Sequence, residues 1–240
     1  MKIFKFGGAS VKDAESIKNV TQILKSEGTE NTLVVISAMG KTTNAFEEVI
    51  KAYYNKTDKL PEKISVVETF HKNIMNNLFD ANDAIFKEIE ILLDELNWFL
   101  TRNTSRRFNY VYDQIICFGE LLSTKIVSAY LRKVGVSNHW FDVRNFIKTD
   151  SNYRDAKVDW KLTEKLITNK LDASKLNITQ GFIAANDTEN TTTLGREGSD
   201  YTAGIFAYCF NAKSVTIWKD VDGVLNADPR VFNKTTLLEQ

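Results

Sequence analysis

The chain opens on a short apolar segment, Lys2 to Phe6, which breaks at Gly7 and Gly8 and gives way to a pattern of helical period. Val11, Ile17, Val20, Ile23 and Leu24 supply the apolar face of that helix, with Ser10 as an N-cap at its start and Gly28 as its stop. Thr32 to Ile36 is a β-branched, apolar run of the kind buried on both faces of a parallel sheet, and a polar loop beginning Ser37, Ala38, Met39, Gly40 follows it. From about Asn44 to Gly135 the pattern is helical nearly throughout, with breaks near Pro61, near Asn82 and across Thr101 to Asn109. Strand character returns at His139 to Val143, helix from Asp159 to about Leu171, and strand at Asn177 to Ile183. The last third repeats the opening: a Gly-containing polar loop from Asn186 to Ser199, a helix from Asp200 to Asn211 and a strand from Ser214 to Trp218.

Strands alternating with helices predict an α/β fold whose mainly parallel sheet is covered on both faces, with ligands at the carboxyl ends of its strands. The stretch 44–135 reads as a helical insertion. With only Pro61 and Pro229, and no Gly/Ser-rich linker, residues 1–240 read as one domain.

Composition narrows the chemistry. At 43% hydrophobic the chain has ample material for a core, while 31 basic and 31 acidic residues cancel without a long block of one sign. That balance argues against a nucleic-acid or anionic-membrane partner. No apolar run approaches the ~20 residues of a membrane helix and the start does not read as a signal peptide, so a cytoplasmic location is expected. Cys117 and Cys209 each sit in an apolar stretch and read as buried free thiols rather than a disulfide or a metal site. His71 and His139 lack the acidic or serine neighbours of a catalytic triad.

Five places carry candidate chemistry. Gly7 and Gly8 at a helix start suit a polyphosphate, which needs backbone N–H groups at close range, although a bare tight turn is the alternative. Lys5, on the strand just before them, is a cation that would neutralise charge on a transferring phosphoryl group if it points to the strand's end. Gly40, Lys41 and Thr42 spell the end of a P-loop, but its first glycine would fall on Val35 inside a strand, so that motif fails. Ser37, Thr42, Thr43 and Asn44 still offer hydroxyls and an amide to a small polar substrate. The cluster Gly195, Arg196, Glu197, Gly198, Ser199, Asp200 combines a flexible loop, a bidentate cation and a helix-start carboxylate. Asp200 either caps its helix or holds Lys5. Glu120 is an unusual charge in an apolar helical stretch, either a partner for a cation such as a substrate ammonium or a solvent-facing turn. Finally, the polar turn at Lys219 and Asp220 leads on to Arg230, which suits a nucleotide or is ordinary turn chemistry.

Taken together these motifs resemble the aspartate kinases of the amino acid kinase family. Lys5 to Ser10, KFGGAS, is similar to the family's opening KFGGTS, and Thr179 to Ile183 to its TQGFI strand. Thr191 to Ala203, TTTLGREGSDYTA, is the most specific piece, and WFDVR at Trp140 to Arg144 and the DPR ending at Arg230 extend the likeness over essentially the whole chain. The resemblance implies an αβα sandwich with a mainly parallel sheet of about eight strands, binding Mg²⁺-ATP and L-aspartate. The implied product is 4-phospho-L-aspartate, the first step toward lysine, threonine and methionine. By motif position, Lys5 would stabilise the transferring phosphoryl group and Asp200 would orient Lys5. Arg196 would grip the α-carboxylate of aspartate and Glu120 its ammonium, with Ser37 and Thr43 alongside. Gly7, Gly8, Lys219, Asp220 and Arg230 would meet the nucleotide, and no residue is assigned to a protein-held metal. Ala9, Glu197 and Lys219 depart from the family's usual Thr, Gly and Thr, which implies altered affinity rather than a different reaction. The 240 residues stop before the family's later lysine-bearing motif and its regulatory domains, so an incomplete nucleotide site, and a homo-oligomer in a longer parent, are expected. Binding without turnover and a kinase for another small carboxylate are the alternative functions.

Overall fold

The computed structural model describes residues 1–219, 223, 225–229 and 231–238. Five parallel strands make the central sheet: β1 (Lys2–Phe6), β2 (Thr32–Ile36), β3 (His139–Trp140), β4 (Asn177–Gln180) and β7 (Ser214–Trp218). Their order across the sheet is β3-β4-β2-β1-β7. Every residue of β2 and β4 is buried, as strands covered on both faces require. β1 lies between β2 and β7, with Lys5 in register with Val35 on one side and Ile217 on the other. A two-stranded antiparallel hairpin, β5 (Ile183–Ala185) with β6 (Thr191–Thr193), stands apart from the sheet. Where the resemblance implies about eight strands, the described residues hold these seven.

The helical stretch resolves into α2 (Thr42–Tyr54), α3 (Leu60–Leu78), α4 (Ile85–Arg102), α5 (Phe108–Ile116) and α6 (Phe118–Lys133). Helices α1 (Ala14–Glu27), α7 (Trp160–Lys170) and α8 (Gly198–Cys209) complete the chain, and none of the described helices is long and apolar enough to cross a membrane. Helix α6 packs against α4, β3 and β4 and is buried at nearly every position of its first half. A helix enclosed all round cannot send a charge to solvent, which bears directly on Glu120.

Four local expectations change. Ser10 does not cap α1: it lies in a 3-10 turn over Gly8–Val11, and Asp13 is the cap, its carboxylate accepting from Ser16 N at 2.8 Å. The strand expected over 139–143 stops at Trp140, because Asp142 opens a second 3-10 turn by accepting from Arg144 N. The strand expected over 177–183 ends at Gln180, since Phe182 takes a left-handed φ of 69° and redirects the chain into the hairpin. The loop expected over 186–199 contains β6, three threonines whose polarity hides a buried strand. Each hydroxyl is bonded: Thr191 accepts from Arg144, Thr192 pairs with Thr149, and Thr193 donates to Asp113.

Candidate active site

Lys5 is the penultimate residue of β1, and its side chain reaches past the carboxyl end of the strand to Asp200 Oδ1 at 2.7 Å. Both groups are largely enclosed, so the pair is less screened by water than a surface pair. Asp200 stands in the first turn of α8, where the helix dipole favours a carboxylate. Two glycines allow α8 to start there. A Cβ on Gly181 would sit 2.5 Å from the Ser199 side chain, and one on Gly198 would sit 2.6 Å from Phe182 Cδ2. Phe182 N also donates to Thr202 Oγ1 at 3.0 Å, tying the helix's first turns to the end of β4.

Lys5, Ser37, Thr43, Glu120 and Asp200 line one cleft of about 260 Å³ together with Phe182, Gly195, Glu197, Gly198 and Ser199. Glu120, on the buried helix α6, is 3% exposed, which rules out the solvent-facing alternative. One carboxylate oxygen accepts from Ala38 N at 3.4 Å, while Oε2 is buried without a hydrogen-bond partner. Desolvation pushes this carboxyl up to about 8, against the smaller opposing pull of the Ala38 N–H. A buried, half-satisfied carboxylate in a cleft wall is a seat for a cation.

Gly7 and Gly8 are not among the cleft-lining residues, although they adjoin the Lys5 side chain and the Ala38 backbone. A Cβ on Gly8 would lie 2.7 Å from Ala38 O and 2.8 Å from Gly40 O, so this backbone packs where no side chain fits. Gly40 N donates to Gly8 O at 2.9 Å, joining the loops after β1 and β2. Gly7 lies over Lys5, its would-be Cβ 3.6 Å from Nζ.

The remaining candidates are distributed differently. Arg196 is exposed and is not among the cleft-lining residues, although its neighbours Gly195 and Glu197 are. Lys219 borders a second depression of about 170 Å³ with Ala9, Ser10, Lys12 and Trp218. Asp220 and Arg230 fall outside the described residues. His71 is fully buried on α3, its Nδ1 bonded to Val67 O, and desolvation lowers its pKa to about 4, while His139 pairs with Asn177. Neither lines the cleft. Cys117 and Cys209 are buried free thiols. Phe182 is a lining residue to which motif reasoning gave no role, and Ser199 one that it named only within the 195–200 cluster. Phe182 was hidden because TQGFI reads as a continuous strand, and the adjacent Gly181 was the available signal.

The profile of the amino acid kinase family matches residues 1–240. The chain is 32% identical to bifunctional aspartokinase/homoserine dehydrogenase 2, chloroplastic, of Arabidopsis thaliana, over 99% of this chain and 27% of that protein. It is also 32% identical to lysine-sensitive aspartokinase 3 of Escherichia coli, over 99% of this chain and 53% of that one. Among solved structures, that of Escherichia coli aspartokinase III in complex with aspartate and ADP superposes with a TM-score of 0.89 at 32% identity. This match covers 100% of the present chain and 53% of that one, so the chain spans about half the length of the bacterial relative.

Proposed function

Because the chain belongs to the amino acid kinase family, we propose that it transfers the γ-phosphoryl group of ATP to the β-carboxylate of L-aspartate. The observation that carries this reading is one cleft holding both the Lys5–Asp200 ion pair and the unpartnered Glu120 oxygen. An ammonium aimed at an anion, beside a carboxylate awaiting a cation, suits an amino acid lying against a phosphate. The similar Escherichia coli enzyme has been solved with aspartate and ADP, which supports the same pair of ligands here.

In this reading the β-carboxylate oxygen attacks the γ-phosphorus in line, the bond to the β-phosphate oxygen breaks, and ADP leaves. Positioning and charge stabilisation do the work, and no covalent enzyme intermediate is needed. Lys5 meets the charge that spreads over the transferring oxygens, and Asp200 holds its ammonium in place. Glu120 takes the substrate ammonium, Arg196 its α-carboxylate, and Ser37 and Thr43 the polar edge between them. Gly7 and Gly8 offer backbone to the phosphates, with Lys219, Asp220 and Arg230 on the nucleotide side. Mg²⁺ would arrive with the triphosphate and supply charge to the transferring group. The product, 4-phospho-L-aspartate, opens the route to lysine, threonine and methionine.

Hydroxylamine traps an acyl phosphate as a hydroxamate, so the test is hydroxamate formation that requires both ATP and L-aspartate. Lys5→Ala is expected to lower kcat by roughly 10²-fold or more, the order for a lost charge-stabilising group. A near-normal kcat in that variant, or no hydroxamate from the wild type, overturns the reading.

A further inference from the structure

Asp113, on α5, is 0% exposed and stands behind the cleft rather than in it. Its oxygens take three hydrogen bonds from two segments remote in sequence. Oδ2 accepts from Arg154 N and from Thr193 N, each at 2.9 Å, and Oδ1 accepts from the Thr193 hydroxyl at 2.9 Å. Burial lifts its pKa to about 6 and the donors pull it back. A carboxylate enclosed to this degree is costly unless its lone pairs are used, and here they are used to join two chain segments.

Both segments lead to the same wall of the cleft. Thr193 ends β6, two residues before Gly195, where the lining begins. Asp155, next to Arg154, buttresses that wall from outside: a Cβ on Gly195 would sit 2.8 Å from Asp155 Oδ1 and 3.5 Å from Arg154 O. The segments are also bound to each other, Ala156 N donating to Thr193 O at 3.0 Å. Beyond this root the chain turns through two left-handed residues, Gly195 at φ 75° and Glu197 at φ 53°, before entering α8. The direction in which Arg196 leaves the loop is therefore set by where Thr193 and Arg154 are pinned.

We propose that Asp113 is a positioning residue that holds the Gly195–Gly198 loop against the cleft and thereby sets affinity for the amino-acid substrate, without touching it. This rests on the reading of the cleft as an aspartate site. The nucleotide side rests on the turn after β1 and on Lys219, which follows β7, so the effect falls on the amino-acid substrate. An amide is a poor substitute at this position, because three donors converge and one of its two heavy atoms is itself a donor.

The test is steady-state kinetics of Asp113→Asn, of Thr193→Val, which keeps the backbone N–H, and of the double variant. Asp113→Asn is expected to raise KM for L-aspartate about tenfold, with KM for ATP within about twofold and kcat changed less than KM. Thr193→Val is expected to raise the same KM by roughly threefold, and the double variant to fall short of the product of the two effects, because both changes break one clamp. A carboxylate with only a structural role would lower Tm and the yield of active protein while leaving KM for aspartate unchanged. That result in folded Asp113→Asn, or in Thr193→Val should the first variant not fold, overturns the proposal. A wild type that neither binds L-aspartate by calorimetry nor phosphorylates it overturns the reading beneath, which separates the two failures.

Discussion

Glu120 is a single carboxylate whose burial and charge are opposed. Its pKa rises from 4.5 to about 8 because desolvation outweighs the backbone N–H groups of Ala38 and of Glu120 itself. Between those values the native state keeps a proton that the unfolded chain has released. The stability it contributes is complete below pH 4.5 and is lost as pH rises through about 8. Glu120→Gln removes this dependence, so its Tm is expected to gain on the wild type steadily across that interval, by several degrees at the upper end, since 1 kcal/mol moves Tm by ~2–4 °C at this size. Thermal melts of the two proteins over a pH series check this. Asp113 and His71 titrate identically in both and cancel, and a constant Tm difference would show that Glu120 is ionised in the native protein. The residue types were legible here: Lys5, Glu120 and Asp200 stand out in the chain as charges beside glycines or within apolar runs. Whether Glu120 faced water or the cleft was not legible, because periodicity cannot show that the first turns of α6 are buried.

At the scale of elements, the junction between β4 and α8 is where backbone packing decides the site. Two glycines in this region are expected to respond to alanine in opposite senses. At Gly181 the added methyl meets the Ser199 side chain at 2.5 Å and its Cα at 2.7 Å, so Gly181→Ala is expected to cost ~1–3 kcal/mol and to displace the helix start that carries Asp200. At Gly204, in the middle of α8, nothing lies within 4 Å, and Gly204→Ala is expected to stabilise by ~0.5–1 kcal/mol. Denaturant melts of both variants decide the matter, and destabilisation by both would contradict the packing described. The regular elements were readable where pattern and burial agree: β1, β2 and β7 have the bounds that the apolar runs suggest. β6 was unreadable for the converse reason. Its three threonines are polar by composition and buried in the fold, and their hydroxyls find partners on α5 and on the segments around Arg144 and Thr149.

At the scale of the whole molecule, the cleft joins parts that the chain keeps far apart, so binding there should appear as global stability. L-Aspartate at about 100 times its Kd is expected to stabilise the protein by ~2.7 kcal/mol. Succinate, which has both carboxylates but no ammonium to meet Glu120, is expected to give far less at equal concentration. Equal thermal shifts from the two would remove Glu120 from recognition. Sequence alone settled the alternation of strands and helices, the glycine turns, the balance of 31 basic and 31 acidic residues, and the residue types available to the candidate site. These follow from periodicity, backbone sterics and charge, which act between near neighbours and leave their mark locally. Tertiary structure alone decided that Lys5 meets Asp200, that Glu120 loses its water, that Arg196 stays outside the lining while Phe182 enters it, and that Asp113 joins Arg154 to Thr193. Those outcomes come from sheet order and helix packing, in which segments from opposite ends of the chain exclude solvent together, and no local stretch of residues encodes its remote partner.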